Sequence, residues 1–255
     1  MIKTGLAAIN NILIYYQYFR DNSKSKTLVL LHEGLGSVAQ WKQTPEWLFE
    51  HSDYNILVYD RTGYGQSSAA PKDYPTDYLR FEAKVILPQL LASLNLNNIS
   101  LLGHSDGGSV ALLFAAYHPE LTQKVITEAA HVIIEDISRK GISQIKETYA
   151  GKLKPLLERY HGDKTDWVFY HWADTWLHKD FYDWNMFEEL KSIESPLLAI
   201  QGENDEYGSI EQLNIINTVE NSEICLLKDC GHHPHFQQAE ITLNKILAFL
   251  QQHTE

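Results

Sequence analysis

Ser105 lies at the centre of the sequence GHSDG, with a glycine two residues to either side of it. An apolar run over 99–102 precedes this sequence, and a run with helical character over 110–117 follows it. A serine on so sharp a turn between a strand and a helix has a strained backbone and an exposed hydroxyl. The positive end of the helix dipole then lies where an oxyanion would form during acyl transfer. The pattern therefore predicts that Ser105 is a nucleophile.

A serine hydroxyl is a poor nucleophile until a base accepts its proton, and the base is usually a histidine oriented by a carboxylate. Downstream of Ser105, Asp205 follows an apolar run, and His232 follows a glycine after the last such run. These two residues are candidates for the orienting acid and the base. Neighbouring residues offer alternatives for both roles, namely the acids Glu203 and Glu206 and the bases His233 and His235.

Apolar runs and helical stretches alternate along most of the chain. Strands are predicted over 12–19, 27–31, 55–59, 99–102, 124–127, 197–201 and 223–227. Helices are predicted over 41–51, 78–94, 110–117, 211–219 and 239–251, with a bend at Pro88. This alternation indicates an α/β fold with a mostly parallel sheet and helices on both faces. The candidate residues follow strands, and ligands bind beyond the carboxyl ends of such strands.

The segment 131–190 breaks this alternation, because it is helical throughout and carries four of the six tryptophans. We interpret it as a helical cap inserted into an α/β core formed by 1–130 and 191–255. Aromatic side chains of the cap, Trp172 among them, are expected to line the substrate pocket.

The composition limits the class of partner. The chain has 255 residues, a formal net charge of −12 and two cysteines. An acidic chain is poorly suited to nucleic acid, which requires a basic face, and no apolar run is long enough to cross a membrane. Few cysteines and the lack of a signal-type segment indicate a cytoplasmic protein. We expect a small-molecule substrate and no cofactor, and the sequence does not indicate an oligomeric state.

The set of motifs resembles the α/β-hydrolase superfamily along nearly the whole chain. The matching segments are HEGLGS, DRTGYGQS, GHSDGG, GEND and GHHPH, in that order. Nucleophile, acid and histidine also follow one another in the chain order of this superfamily. The resemblance implies an α/β-hydrolase fold and a serine hydrolase, with Asp205 as the acid and His232, directly after its glycine, as the base.

The resemblance also implies an oxyanion hole made of two backbone N–H donors. One donor is the N–H of Asp106, and the other comes from the loop that begins His32-Glu33-Gly34. Members of the superfamily begin this loop with His-Gly, so Glu33 departs from the pattern. By position the second donor is Gly34, with Leu35 as the alternative.

Asp106 suggests a substrate class. The run Ser-Asp-Gly-Gly resembles the biphenyl hydrolase-like group of the superfamily, whose substrates include amino-acid esters. The Asp106 side chain is expected either to pair with a substrate ammonium group or to charge the N-terminus of the following helix. Glu33 and Glu128, both at strand ends, either add negative charge to the pocket or are solvated.

The expected function is cofactor-free hydrolysis of a small carboxylic ester through an acyl-enzyme. Two other functions fit the same motifs, namely hydrolysis of a C–C bond in ring-cleavage products and reception of a ligand with slow turnover. A metal site is not expected, because the histidines at 232, 233 and 235 and the two cysteines lack the paired spacing of zinc motifs.

Overall fold

The computed structural model describes residues 1–252, whose eight strands form one sheet. The strands are β1 (Ile2–Ile9), β2 (Ile12–Phe19), β3 (Lys26–Leu31), β4 (Tyr54–Tyr59), β5 (Ile99–His104), β6 (Thr122–Glu128), β7 (Leu197–Gly202) and β8 (Ser222–Leu227). Their spatial order is β1-β2-β4-β3-β5-β6-β7-β8. β2 runs antiparallel to both of its neighbours, and every other adjacent pair is parallel. The prediction of a mostly parallel sheet is confirmed.

The central strands are apolar on both faces because each face is covered. Leu28 and Leu30 of β3 belong to one hydrophobic cluster, whereas Val29 and Leu31 belong to the cluster on the opposite face. Alternate side chains of a strand point to opposite faces. An uninterrupted apolar run is therefore typical of a strand that is buried on both sides.

Helices form both covers. They are α1 (Thr44–His51), α2 (Tyr78–Phe81), α3 (Leu87–Ser93), α4 (Asp106–Tyr117), α5 (Asp136–Thr148), α6 (Lys154–His161), α7 (Thr165–Leu177), α8 (Phe187–Leu190), α9 (Ile210–Ile216), α10 (Pro234–Gln237) and α11 (Ala239–Gln251). A π-helical turn, Glu82–Ile86, joins α2 to α3 just before Pro88. Proline has no N–H to donate to the preceding turn. The helix is therefore widened just before Pro88, and the predicted bend itself stays a prediction.

The hairpin of β1 and β2 places β1 at the edge of the sheet, where the sequence predicts no strand. Asn10 and Asn11 make its turn, with φ angles of 46° and 67°. Two consecutive residues at positive φ form the tight turn whose twist suits a hairpin, and asparagine tolerates that conformation. The Asn-Asn pair is therefore the sequence signal for the missing strand.

The chain between β6 and β7 contains α5, α6, α7 and α8, together with an isolated bridge between Ile133 and Asn185. Buried side chains of this segment, such as Phe169, share one hydrophobic cluster with a face of the sheet. The predicted boundaries of a separate cap over 131–190 stay a prediction, and the predicted end of the core at 255 lies outside the described residues. Within residues 1–252, every helix is too short or too polar to cross a bilayer.

Candidate active site

Ser105 occupies a strained turn between β5 and α4. Its backbone angles, φ 53° and ψ −118°, lie in a region that residues with a side chain rarely adopt. A Cβ at Gly103 would lie 2.1 Å from the carbonyl oxygen of Gly107, and a Cβ at Gly107 would lie 2.0 Å from that of Leu31. Glycine is therefore required at both positions. The Ser105 N–H donates to the carbonyl of Glu128 at 2.8 Å, which ties the turn to β6.

Ser105, His232 and Asp205 form a continuous row of hydrogen bonds. The His232 ring Nε2 lies 2.9 Å from the Ser105 Oγ, and its Nδ1 lies 2.8 Å from Oδ1 of Asp205. A carboxylate only accepts hydrogen bonds, so Nδ1 carries the proton and donates a hydrogen bond to Asp205. The lone pair on Nε2 then accepts the hydrogen bond from the Ser105 hydroxyl. This is the geometry of a base that can take a serine proton.

Loops at the carboxyl edge of the sheet position the acid and the base. Asp205 follows β7, and its Oδ1 also accepts the backbone N–H groups of Tyr207 at 2.9 Å and Gly208 at 3.2 Å. His232 lies between β8 and α10, and its backbone N–H donates to the carboxylate of Glu206 at 3.3 Å. Backbone donors thus fix the carboxylate before the imidazole contacts it.

Electrostatics favour a charged acid next to a basic imidazole. Burial by itself would lower the pKa of His232, but the hydrogen bond and the negative charge of Asp205 outweigh it and raise that pKa. Burial would raise the pKa of Asp205, but the hydrogen bond from His232, the His232 charge and the backbone N–H of Tyr207 together outweigh it, and the pKa is lowered. Asp205 therefore stays ionised at neutral pH and stabilises an imidazolium at His232.

The alternative acids and bases do not join this row. Glu203 and Glu206 are exposed, and Glu206 contacts the backbone of His232 and not its ring. The His235 ring donates from Nδ1 to Glu128 at 2.7 Å, and the His233 Nδ1 lies 3.8 Å from Glu33. The structure brings Asp205 and His232 to Ser105, as the sequence predicts.

The loop after β3 follows a well-anchored path despite the glutamate at position 33. The Glu33 carbonyl accepts the N–H of Gly36 at 3.1 Å, Nδ1–H of His32 at 2.8 Å and Nη2–H of Arg61 at 2.7 Å. These donors direct Gly34 and Leu35 into the cavity beside Ser105, where Asp106 also lies. Gly34 or Leu35 as the second oxyanion donor stays a prediction.

The Asp106 side chain is buried at the base of the cavity, with 1% of its surface exposed. Its Oδ2 accepts a hydrogen bond from the Tyr78 hydroxyl at 2.6 Å and lies 3.4 Å from Nη1 and Nη2 of Arg61. The Tyr78 hydroxyl in turn accepts Nε1–H of Trp176 at 2.9 Å. Burial raises the pKa of Asp106 although the Arg61 charge opposes that shift. The arginine offsets the carboxylate charge that the sequence suggested for amine binding.

Arg61 and Tyr78 are the site residues that sequence reasoning missed. Arg61 lies in the loop after β4 and Tyr78 begins α2, and the sequence of neither segment indicates a chemical role for these side chains. Their contacts with Asp106 span 45 and 28 residues of chain. The segment DRTGYGQS resembles a motif of the superfamily, but nothing in its spacing indicates which side chain its arginine contacts.

Glu128 does not line the cavity, which corrects the expectation that it adds charge to the substrate pocket. Its side chain is fully buried. Its Oε2 accepts both the ring Nδ1–H, at 2.7 Å, and the backbone N–H, at 3.0 Å, of His235. The His235 ring stacks on Trp41 with ring centroids 4.9 Å apart. Glu128 therefore supports the loop that carries His232 and faces away from the substrate.

The cavity above Ser105 has a volume of about 220 Å³, and Glu33 and Trp172 line it as expected. Glu33 presents a side chain that is 23% exposed. Most of the apolar lining comes from the segment between β6 and β7. These residues are Ile142, Ile145, Leu153, Leu157, Trp172 and Trp176. The site thus joins a polar floor at the sheet edge to an apolar roof.

A family model described as the alpha/beta hydrolase fold matches residues 26–171, which is more than half of the chain. The chain belongs to this family, and it is an enzyme with hydrolase activity. The predicted fold is confirmed by the same match.

Individual proteins resemble this chain at lower identity. Human serine hydrolase BPHL is 26% identical over 248 residues, which cover 94% of this chain and 83% of the human protein. This match confirms the resemblance to the biphenyl hydrolase-like group. A proline iminopeptidase of Lactobacillus helveticus is 35% identical over 113 residues, covering 44% of this chain and 38% of that protein.

Among solved structures, the 2-hydroxy-6-oxo-6-phenylhexa-2,4-dienoate hydrolase of Rhodococcus sp. strain RHA1 has a TM-score of 0.79 at 16% identity and covers 99% of both chains. The thermophilic esterase of Thermogutta terrifontis has a TM-score of 0.74 at 18% identity, covering 98% of both chains. At these identities the likeness establishes the fold alone.

Proposed function

We propose that this hydrolase cleaves small carboxylic esters through an acyl-enzyme on Ser105, with His232 as the base and Asp205 as the orienting acid. The observation that carries the proposal is the row of hydrogen bonds at 2.9 and 2.8 Å from Ser105 through His232 to Asp205. The row begins on a strained turn at the floor of a cavity large enough for a small substrate. The relatives named serine hydrolase and proline iminopeptidase agree with ester or amide cleavage.

The proposed reaction has two halves. The Ser105 Oγ attacks the substrate carbonyl carbon while Nε2 of His232 takes the hydroxyl proton. The oxyanion accepts hydrogen bonds from the Asp106 N–H and from the N–H of Gly34 or Leu35. The tetrahedral intermediate collapses, His232 returns the proton to the leaving alkoxide, and the alcohol departs. Water then attacks the acyl-enzyme with His232 as the base again, which releases the acid and restores Ser105.

The cavity lining supports a substrate of modest size with an apolar group. A volume of about 220 Å³ is small compared with the cavities of about 300–1,000 Å³ that take drug-sized ligands. The apolar roof favours an aliphatic or aromatic acyl chain, since burying apolar surface contributes about 25 cal/mol per Å².

Covalent labelling with a fluorophosphonate tests the proposed nucleophile. The Ser105 oxygen is expected to displace fluoride from phosphorus, which adds the mass of the probe less HF to the peptide that contains Ser105 and to no other peptide. Mass spectrometry after digestion locates the label, and a Ser105→Ala variant serves as the unlabelled control. A label on a different residue would contradict the proposal. Labelling without turnover of a nitrophenyl ester would favour the slow-turnover receptor.

Selectivity for an α-amino ester is assigned in this proposal to Glu33. The Asp106 carboxylate already contacts the Arg61 guanidinium and the Tyr78 hydroxyl, so its charge is offset. The Glu33 carboxylate lines the same cavity and lies 3.7 Å from the His104 ring and 3.8 Å from the His233 ring. A substrate ammonium group would find a carboxylate at Glu33 without a competing arginine.

Glu33→Gln is expected to lower kcat/KM for alanine ethyl ester by about ten- to a hundredfold, because a charge-assisted hydrogen bond contributes about 1.5–3 kcal/mol. The value for ethyl propionate, which differs only by lacking the amino group, should change little. The control variant Asp106→Asn should lower both values alike, since it disturbs the contacts with Arg61 and Tyr78. All of these assays contain EDTA, so that free divalent metal ions do not affect the rates. A loss confined to the amino ester in Asp106→Asn, and absent in Glu33→Gln, would reverse the assignment.

A further inference from the structure

A second cluster of polar side chains lies beside the row formed by Ser105, His232 and Asp205. Within residues 1–252, one set of three His, Cys, Asp or Glu side chains brings its ligand atoms within 4.8 Å of one another. The set comprises Glu33 in the loop after β3, His104 at the end of β5 and His233 before α10. Oε2 of Glu33 lies 3.7 Å from Nδ1 of His104 and 3.8 Å from Nδ1 of His233.

The hydrogen bond of His104 settles which ring nitrogen carries a lone pair. Its Nε2 lies 2.7 Å from the carbonyl oxygen of His232. A carbonyl oxygen only accepts, so Nε2 carries the proton and Nδ1 of the neutral ring carries the lone pair. That lone pair faces the Glu33 carboxylate, which also only accepts. Two acceptors face each other at 3.7 Å, an arrangement that a cation between them stabilises.

The same hydrogen bond is typical of a metal-binding histidine. Such histidines almost always donate the second ring N–H to a carboxylate or a backbone carbonyl, which fixes the tautomer and the orientation of the ring. His104 is buried and does so. Its orientation as a ligand is therefore set before any ion binds.

There is space for an ion next to the three side chains. A small cavity of about 20 Å³ is lined by Glu33, His104 and His233, and it is separate from the larger cavity above Ser105. This is about the room that one water or one ion requires. The His233 and Glu33 side chains are 35% and 23% exposed, so an ion can reach the cluster from solvent.

We propose that Glu33, His104 and His233 bind a divalent transition-metal ion, Zn²⁺ by preference, at the edge of the active site. Two imidazole nitrogens and one carboxylate form a ligand set that Zn²⁺ uses, with water in the fourth position. Zinc–ligand bonds of about 2.0–2.2 Å place tetrahedral ligands roughly 3.3–3.6 Å apart. The two contacts of Glu33 need to shorten by only a few tenths of an ångström, and the partly exposed His233 can rotate to complete the set.

Binding at this site reaches the hydrolytic machinery directly. The His104 and His233 rings lie 5.3 and 5.5 Å from the His232 ring, measured between centroids. A divalent charge at that distance opposes the imidazolium that forms when His232 takes the serine proton. Zinc would also occupy Glu33, which lines the substrate cavity. The proposed ion is therefore a reversible inhibitor, and this consequence, unlike binding itself, rests on the proposed function.

Calorimetric titration of untagged, EDTA-treated and desalted protein with ZnCl₂ tests the binding. One equivalent of Zn²⁺ is expected to bind, and MgCl₂, a hard cation that prefers oxygen ligands, should not bind. Glu33→Gln and His233→Gln should each weaken the affinity at least tenfold, as expected when a ligand is lost. The control is His178→Gln, since the His178 Nδ1 also lies 3.7 Å from a carboxylate, that of Asp180, on the exposed surface. The affinity of the His178→Gln variant for Zn²⁺ should equal that of the wild type.

No Zn²⁺ binding by the wild type, or binding that survives in both Glu33→Gln and His233→Gln, would overturn the site. Titration of the Ser105→Ala variant should give the wild-type result, so the test does not depend on hydrolysis. Inhibition is measured with a neutral ester: saturating Zn²⁺ should lower the wild-type rate at least about tenfold, and EDTA should restore it. Binding without inhibition would refute the regulatory consequence and leave the site and the proposed hydrolysis intact.

Discussion

Replacement of Ser105 by alanine is expected to lower kcat for ester hydrolysis by about 10⁶-fold while the protein stays folded. The nucleophile is lost, and His232 and Asp205 cannot form an acyl-enzyme without it. The fold should persist because alanine, like serine, has a Cβ, so the strain of the turn does not change. The variant loses a single side-chain hydrogen bond, the one between Ser105 and His232 at 2.9 Å. Steady-state kinetics and circular dichroism measure the two parts of this expectation.

Ser93→Ala is a matched control for the loss of a hydroxyl. Ser93 is exposed at the end of α3, where its hydroxyl donates to the Leu90 carbonyl at 2.7 Å. Its kcat should lie within about twofold of the wild type, as is usual for a surface substitution. A Ser105→Ala enzyme that retains turnover within tenfold of the wild type would exclude Ser105 as the nucleophile.

The core strands could be predicted from sequence because both faces of the sheet are covered. In β3 and β4 every residue after the first is buried, and the sequence of each strand is accordingly mostly apolar. β1 lacks that signal, since six of its eight residues are not buried and it lies at the edge of the sheet. A strand that is only partly covered needs few apolar residues. The pairing of β1 with β2 depends on backbone hydrogen bonds, which do not depend on the residue types.

The arrangement of Ser105 was predictable because its determinants are local. Gly103 and Gly107 are needed within two residues of the serine, where a Cβ would collide with backbone. The direction of the Glu128 side chain was not predictable. Glu128 ends a strand that is buried on both faces, so no alternation of polar and apolar residues shows which face its carboxylate takes.

The partners of Asp106 and the cluster around Glu33 depend on contacts between distant segments. Arg61 meets Asp106 only because β4 and β5 both flank β3, which places their carboxyl ends at the same edge. Likewise, Glu33 and His233 lie in two different loops and His104 ends β5, so the three ligands lack the paired spacing of zinc motifs.

His232→Ala is expected to lower kcat by about 10⁶-fold, similar to the loss in Ser105→Ala, because residues that act as a unit show equal and non-additive losses. The double variant Ser105→Ala/His232→Ala should be no slower than either single variant. Among residues 1–252, His232 is the one whose ring hydrogen-bonds to both Ser105 and Asp205. Kinetics of the three variants on one nitrophenyl ester measure this.

His235→Ala is the informative comparison, since His235 lies three residues away and is equally buried. Its loss removes both stacking on Trp41 and the hydrogen bond to the fully buried Glu128, which costs at least about 1–3 kcal/mol of stability. For a chain of this size each kcal/mol lowers Tm by about 2–4 °C. The folded enzyme should nevertheless keep kcat within about tenfold, because the His232 ring retains its contacts. Equal losses of kcat in His232→Ala, His233→Ala and His235→Ala, together with loss of activity in EDTA, would show that the histidines serve a metal-dependent reaction and that the proposed serine mechanism is wrong.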